Sequence, residues 1–133
     1  YRCYEEKDLK ELLNEKFEEY IFDFQKNFNT KLSLINSIVD HNNFVSHDFK
    51  IFLNRLDNFK LTVFFKLSAL TKSVILSLNF LKQKIDHNSL YKLSNLEYTY
   101  QQKRWGLVKE QKLINENNFL LIKNISFFFK NIN

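Results

Sequence analysis

The chain has 133 residues and a formal net charge of +5, with 44% apolar residues, fifteen Phe, one Gly and no Pro. That length fits one domain. So few turn-forming residues argue against a β-sandwich or a Rossmann-type fold, because sheet proteins draw on Gly and Pro for their tight turns. A Gly-rich phosphate loop is excluded, and the lone Cys3 allows neither an intramolecular disulfide nor a Cys-based zinc site.

The first element reads as one long acidic helix. Leu9, Leu13, Phe17, Tyr20, Phe24, Phe28, Leu32, Ile35 and Val39 recur at a mean spacing of about 3.75. That is close to the 3.67 of an 11-residue repeat and longer than the 3.5 of a left-handed coiled coil. Glu5, Glu6, Glu11, Glu15, Glu18 and Glu19 lie off the stripe, in the half of the helix where the backbone dipole favours acids. The stripe ends near residues 40–43.

A second helix is expected after Ser46, a plausible N-cap. Its stripe runs from Phe49 through Phe59, Val63, Leu67, Val74 and Leu78 to Ile85, with a mean spacing of 3.6, the helical period. Unbroken, it would extend roughly 55 Å. Within it, Leu61–Leu81 has enough residues to span a bilayer. Lys66 and Lys72 sit well inside that stretch, and two central lysines would cost several kcal/mol in lipid. A helix buried by protein on most sides is therefore expected; membrane contact stays open, without a confident span.

The third segment begins after Asp86-His87-Asn88, with Ser89 as cap, and carries Leu93, Leu96, Tyr100 and Leu107. Its polar face runs from Gln101 to Lys112, loosened at Gly106. The apolar tail, residues 119–132, fits a short helix or an extended segment and needs a partner to cover it. The fold class is accordingly all-α and elongated: two long amphipathic helices plus one or two shorter ones. Residues 1–133 form a single unit, divided into an acidic helix (1–45), a long apolar-striped helix (46–87), and a basic helix with an apolar tail (88–133).

Charge divides the same chain in two. Residues 1–48 have a net of −4 and residues 49–133 a net of +9, which suggests two different neighbourhoods. In the basic half, Lys103, Arg104, Trp105, Lys109 and Lys112 follow Tyr98 and Tyr100. Arg and aromatic side chains can stack on nucleobases while Lys neutralises phosphate, so these five are candidate partner or RNA contacts. They read equally as a packing anchor, Trp105, beside a solvated basic face.

No catalytic constellation is evident. His41, His47 and His87, each beside an Asp, fall near helix breaks and lack metal-ligand spacing. Glu5/Glu6 and Glu18/Glu19 lie on a solvated face, where nothing tunes an acid/base pair. No catalytic, cofactor or metal residue is assigned, and the chain is not expected to be an enzyme.

Gly, Ala, Arg and Pro total five residues, against 65 Phe, Tyr, Ile, Asn and Lys. The scarce residues have GC-rich codons and the abundant ones AT-rich codons. The bias suggests an extremely AT-rich source, such as a protist organelle genome, an endosymbiont or an AT-rich parasite; the expected location is mitochondrial, in the matrix or at the inner membrane. The chain begins at Tyr1 and holds no Met, which reads as a processed or partial product. Its first residues lack the apolar core of a secretory signal.

Residues 1–45 bear a resemblance as well. Tyr1-Arg2, the run Leu12-Leu13-Asn14-Glu15-Lys16-Phe17-Glu18-Glu19, then Phe24, then Lys31-Leu32-Ser33-Leu34-Ile35 resemble the segment after the membrane span of mitochondrion-encoded ATP synthase subunit b. The resemblance covers about a third of the chain, and no apolar span precedes Tyr1. It implies a stator role, in a peripheral stalk coupled to proton transport, without catalytic residues. The expected function is thus a structural subunit of a large mitochondrial complex, with other protein subunits as partners. The alternative is a mitochondrial ribosomal protein contacting rRNA through its basic half.

Overall fold

A computed structural model describes residues 7–29, 47–106 and 109–132, and within them all side chains except those of Lys7, Lys10, Gln101, Arg104, Trp105 and Ile132. Every described element is an α-helix: α1 (Lys7–Asn27), α2 (His47–Arg55), α3 (Asn58–Thr71), α4 (Val74–Leu81), α5 (His87–Ser94), α6 (Leu96–Trp105) and α7 (Lys109–Ile132). The all-α expectation holds among these residues. The chain divides into two compact units, Tyr1–Asp57 and Asn58–Asn133.

In the first unit, α1 buries Leu9, Leu13, Ile21 and Phe24, and the turn after it buries Phe28. Tyr20, expected on that stripe, is only half-buried, and Ile21 takes its place. Phe24 and Phe28 meet Phe49 of α2 edge to face, with ring centroids 5.3 and 5.1 Å apart. Aromatic pairs favour such offset geometry, because the ring edge is positive and the face negative. The expected continuation to residue 45 fails early: α1 ends at Asn27 and Asn29 turns left-handed, at φ 46°. The Leu32, Ile35 and Val39 part of the stripe, and the Ser46 cap, lie outside the described residues.

The second long helix is a second correction. Where one helix over 46–87 was expected, residues 47–81 form three, broken at Leu56-Asp57 and again at Lys72-Ser73. Local chemistry causes the second break. Thr71 Oγ1 donates to Leu67 O at 2.7 Å and accepts from the Ser73 amide at 3.3 Å. Lys72 sits at φ 56°. Ser73 then caps α4, its hydroxyl accepting from the Leu76 amide at 3.2 Å. Ser and Thr side chains offer the backbone partners other than the helical carbonyl, so they can end a helix whose apolar period continues through them. Val74, on the expected stripe, is 41% exposed as a result.

The core of the second unit forms where α3 packs against α4, α5 and α7, while α5 also contacts α4, α6 and α7. Phe64, Leu67, Leu76, Leu90 and Ile122 are its most deeply buried apolar side chains. Residues Leu76–Phe80 of α4 are buried in succession, so that helix is enclosed on all sides. Its buried polar groups bond locally: Ser77 Oγ donates to Ser73 O at 2.8 Å and Asn79 Nδ2 to Ile75 O at 2.8 Å. Satisfying these groups inside the helix removes the cost of burying them.

α4 ends in a Schellman arrangement, with Gln83 N donating to Phe80 O and Lys84 N to Asn79 O, both at 2.9 Å. Gln83 occupies the left-handed position at φ 60°, where glycine is the usual residue. The expected Ser89 cap is corrected to Asp86, whose Oδ1 accepts from the Ser89 amide at 2.8 Å as α5 begins at His87. The third segment is likewise divided, at Asn95 and at Gly106.

Candidate functional site

The basic cluster singled out in the sequence falls at the corner between α6 and α7. Gly106 forms that corner: its amide donates to Gln102 O at 2.9 Å, and its backbone sits at φ 92° and ψ 176°. Those angles are open only to Gly. The left-handed turns at Asn29, Lys72 and Gln83 tolerate other residues at a modest cost. This difference explains where the chain's single glycine stands.

Lys103 is exposed near the end of α6, and Lys109 is exposed in the first turn of α7. Lys112 pairs with Glu116 one turn on, 4.0 Å apart with both side chains 57% exposed, so the pair adds little stability. The structure therefore places Lys103, Lys109 and Lys112 on the surface around one corner. Arg104 and Trp105 are in the last turn of α6, and their side chains lie outside the described residues.

α7 gives the tail a definite form. Residues 119–132, left open between helix and extended chain, belong to a 24-residue helix. Its inner face buries Asn115, Ile122, Ser126 and Phe129. Two aromatic contacts fix it to the core: Phe129 lies 5.5 Å from Phe80, and Phe119 lies 4.9 Å from Tyr91, edge to face. Burial is the main cause that pushes the Tyr91 hydroxyl above its ordinary pKa, with Glu116 adding to it. Gln111 Nε2 satisfies the buried Asn115 by donating to its Oδ1 at 3.0 Å.

The other side of α7 is apolar too. Leu113, Ile114, Leu120, Leu121, Phe127 and Phe128 are all at least 48% exposed. Phe128 stands at the margin, its ring 4.9 Å from Phe59 of α3. Sequence reading expected the tail from residue 119 to need a partner, but it ended the third helix near Lys112 and so missed that this surface starts at Leu113 on one continuous helix. The recurrence of Leu113, Leu120 and Phe127 every seven residues was the available signal.

Among the described residues no group of three or more His, Cys, Asp or Glu side chains could hold a metal ion. None of the described helices is long and apolar enough to cross a membrane. The break at Lys72-Ser73 leaves α3 with fourteen residues and α4 with eight.

No protein-family model and no curated protein sequence matches the chain. Two solved structures match its fold: Atp12 from Paracoccus denitrificans and an aspartate-to-lysine mutant of the same protein. Each aligns with 98% of this chain at a TM-score of 0.85 and 22% identity. The chain spans little more than half of their length, 57% and 56% respectively. At that identity the likeness establishes a shared helical fold.

It also corrects the resemblance to ATP synthase subunit b, since nearly the whole chain follows Atp12. The short motifs behind that resemblance were charges and apolar residues at helical spacing, which any amphipathic helix can share. A stalk helix would continue where α1 stops, at Asn27.

Proposed function

We propose that this chain is a non-catalytic assembly factor for ATP synthase, a chaperone that holds a subunit of that enzyme before it joins the complex. The observation that carries this reading is the fold match over 98% of the chain to Atp12, which is an ATP synthase assembly factor. The exposed apolar side of α7 supports it, since contiguous apolar surface of this kind marks protein contact sites. Lys103, Arg104, Lys109 and Lys112 at the neighbouring corner would contribute steering charge toward an acidic client, with Trp105 beside them as an aromatic contact. The codon bias supports a mitochondrial setting. The rRNA alternative has nothing in the fold to favour it.

Fractionation of the native chain tests the proposal. The expected result is co-purification with an unassembled ATP synthase subunit and absence from the mature enzyme, with less assembled enzyme when the chain is depleted. Stoichiometric presence in the intact ATP synthase, or sedimentation with ribosomes, would overturn it.

A further inference from the structure

The exposed side of α7 is periodic as well as apolar. Leu113, Asn117, Leu120, Asn124, Phe127 and Asn131 follow one another at alternating steps of four and three residues, and all six are exposed. This is the spacing of a coiled-coil seam, in which each side chain enters a hole on a facing helix. Leu, Leu and Phe take the d positions and Asn takes each a position. Ile114, Leu121 and Phe128 repeat alongside at e, and Glu116, Lys123 and Lys130 repeat at g. The pattern runs for about 27 Å of helix, on the side opposite the buried Ile122 and Phe129.

We infer that this outward side of α7 is a docking seam for one amphipathic helix of another polypeptide, with apolar residues at heptad spacing and Asp or Glu along its flank. Two observations select that occupant. First, three Asn run down the middle of the seam. Asn131 donates to Phe127 O at 2.9 Å, but lipid would leave the amides of Asn117 and Asn124 unpaired, whereas a facing helix can pair them and fix its register by them.

Second, residues 58–133 hold twelve Lys/Arg against four Asp/Glu, a net of +8. Lys123 and Lys130 line the seam, while the only acid in that row, Glu116, is already paired with Lys112. A second copy would set two units of net +8 against each other, whereas an acidic helix would neutralise that charge. The seam stands on α7 itself; the identification of its occupant as a client subunit rests on the assembly-factor reading.

The test uses the full chain and two synthetic three-heptad helices with Asn at a and Leu at d, one with Glu and one with Lys at the flanking positions. Anionic phospholipid vesicles and sedimentation of the chain alone serve as competing arms. The Glu peptide is expected to bind at least tenfold tighter than the Lys peptide. Leu120→Asp with Phe127→Asp should abolish that binding without lowering Tm, since both residues are exposed. Lys123→Glu with Lys130→Glu should reverse the peptide preference.

Equal binding of both peptides, vesicle binding in place of peptide binding, or a dimer dispersed by the double Asp variant would each overturn the inference. A double Asp variant that loses the peptide yet still co-purifies with an ATP synthase subunit would overturn the seam's client role and leave the assembly-factor reading intact. Peptide binding by a chain that captures no such subunit would leave the seam and overturn that reading.

Discussion

α4 and α7 both carry apolar side chains on more than one side, yet the chain treats them in opposite ways. α4 has eight residues and five in succession are buried. α7 has twenty-four, with Phe129 at 3% exposure on one side and Phe127 at 71% on the other. α4 is the more apolar, with six apolar residues of eight against eleven of twenty-four, but composition does not say which sides are covered. α4 lies where helices of the same unit can enclose it, and α7 meets those helices along one side only. An apolar side that a fold leaves open is where a partner can act, so this contrast locates function more sharply than composition does.

Truncation in the two environments should give the largest effects. Leu76→Ala in α4 and Phe129→Ala on the inner side of α7 should each cost about 2–5 kcal/mol, through lost burial and the cavity left behind. Phe127→Ala should change stability by less than about 0.5 kcal/mol. Urea denaturation of the three variants measures this; a comparable loss for Phe127→Ala would mean that the outer side is packed, and would erase the contrast.

The turns that bracket the two helices should respond in opposite directions. Gly106→Ala forces a side chain into angles open only to Gly and should cost about 1–3 kcal/mol. No atom crowds that Cβ, so backbone strain accounts for the whole effect. Gln83→Gly relieves the left-handed turn after α4 and should stabilise by up to about 1 kcal/mol. Thermal melts of the pair check both signs.

Two buried serines sharpen the comparison further. Ser77 in α4 is hydrogen-bonded and Ser126 in α7 has no partner among the described residues. Ser77→Ala should therefore cost about 1 kcal/mol, while Ser126→Ala should be neutral or stabilising by a similar amount. Equal losses in the two would show that Ser126 makes a bond after all.

The smallest effect concerns Asp86, the cap of α5. The Ser89 backbone amide, and then its hydroxyl, hold the carboxyl below its ordinary value of 3.8. A carboxyl lowered by folding contributes stability above its unfolded pKa and loses it as pH falls through the folded value. Denaturation between pH 6 and pH 3 should show that loss, and Asp86→Asn should flatten it. An unchanged slope in the variant would assign the acid sensitivity elsewhere.

The helices themselves were legible because apolar spacing follows the helical period. Leu9, Leu13, Phe24, Phe28, Val63, Leu67 and Leu78 were all on expected stripes and are all buried. The breaks were not, since a period runs through a capping serine unchanged. Thr71 and Ser73 look like solvated polar residues until their hydroxyls are seen bonded to the backbone. The basic corner was visible residue by residue as Lys103, Lys109 and Lys112, and the tail was expected to need a partner, but not to continue the helix from Lys109 with its apolar side starting at Leu113. A run such as Phe127-Phe128-Phe129 does not say which ring turns inward.

The amino-acid sequence by itself determined an all-helical chain, because helical periodicity is local and because one Gly and no Pro leave little material for sheet turns. It also set the charge asymmetry. Only the tertiary structure decided where the long apolar stripes break, which of three adjacent Phe is core, and that α7 keeps an uncovered side. Those outcomes depend on which helices reach one another, and contacts between distant residues leave no period to read along the chain.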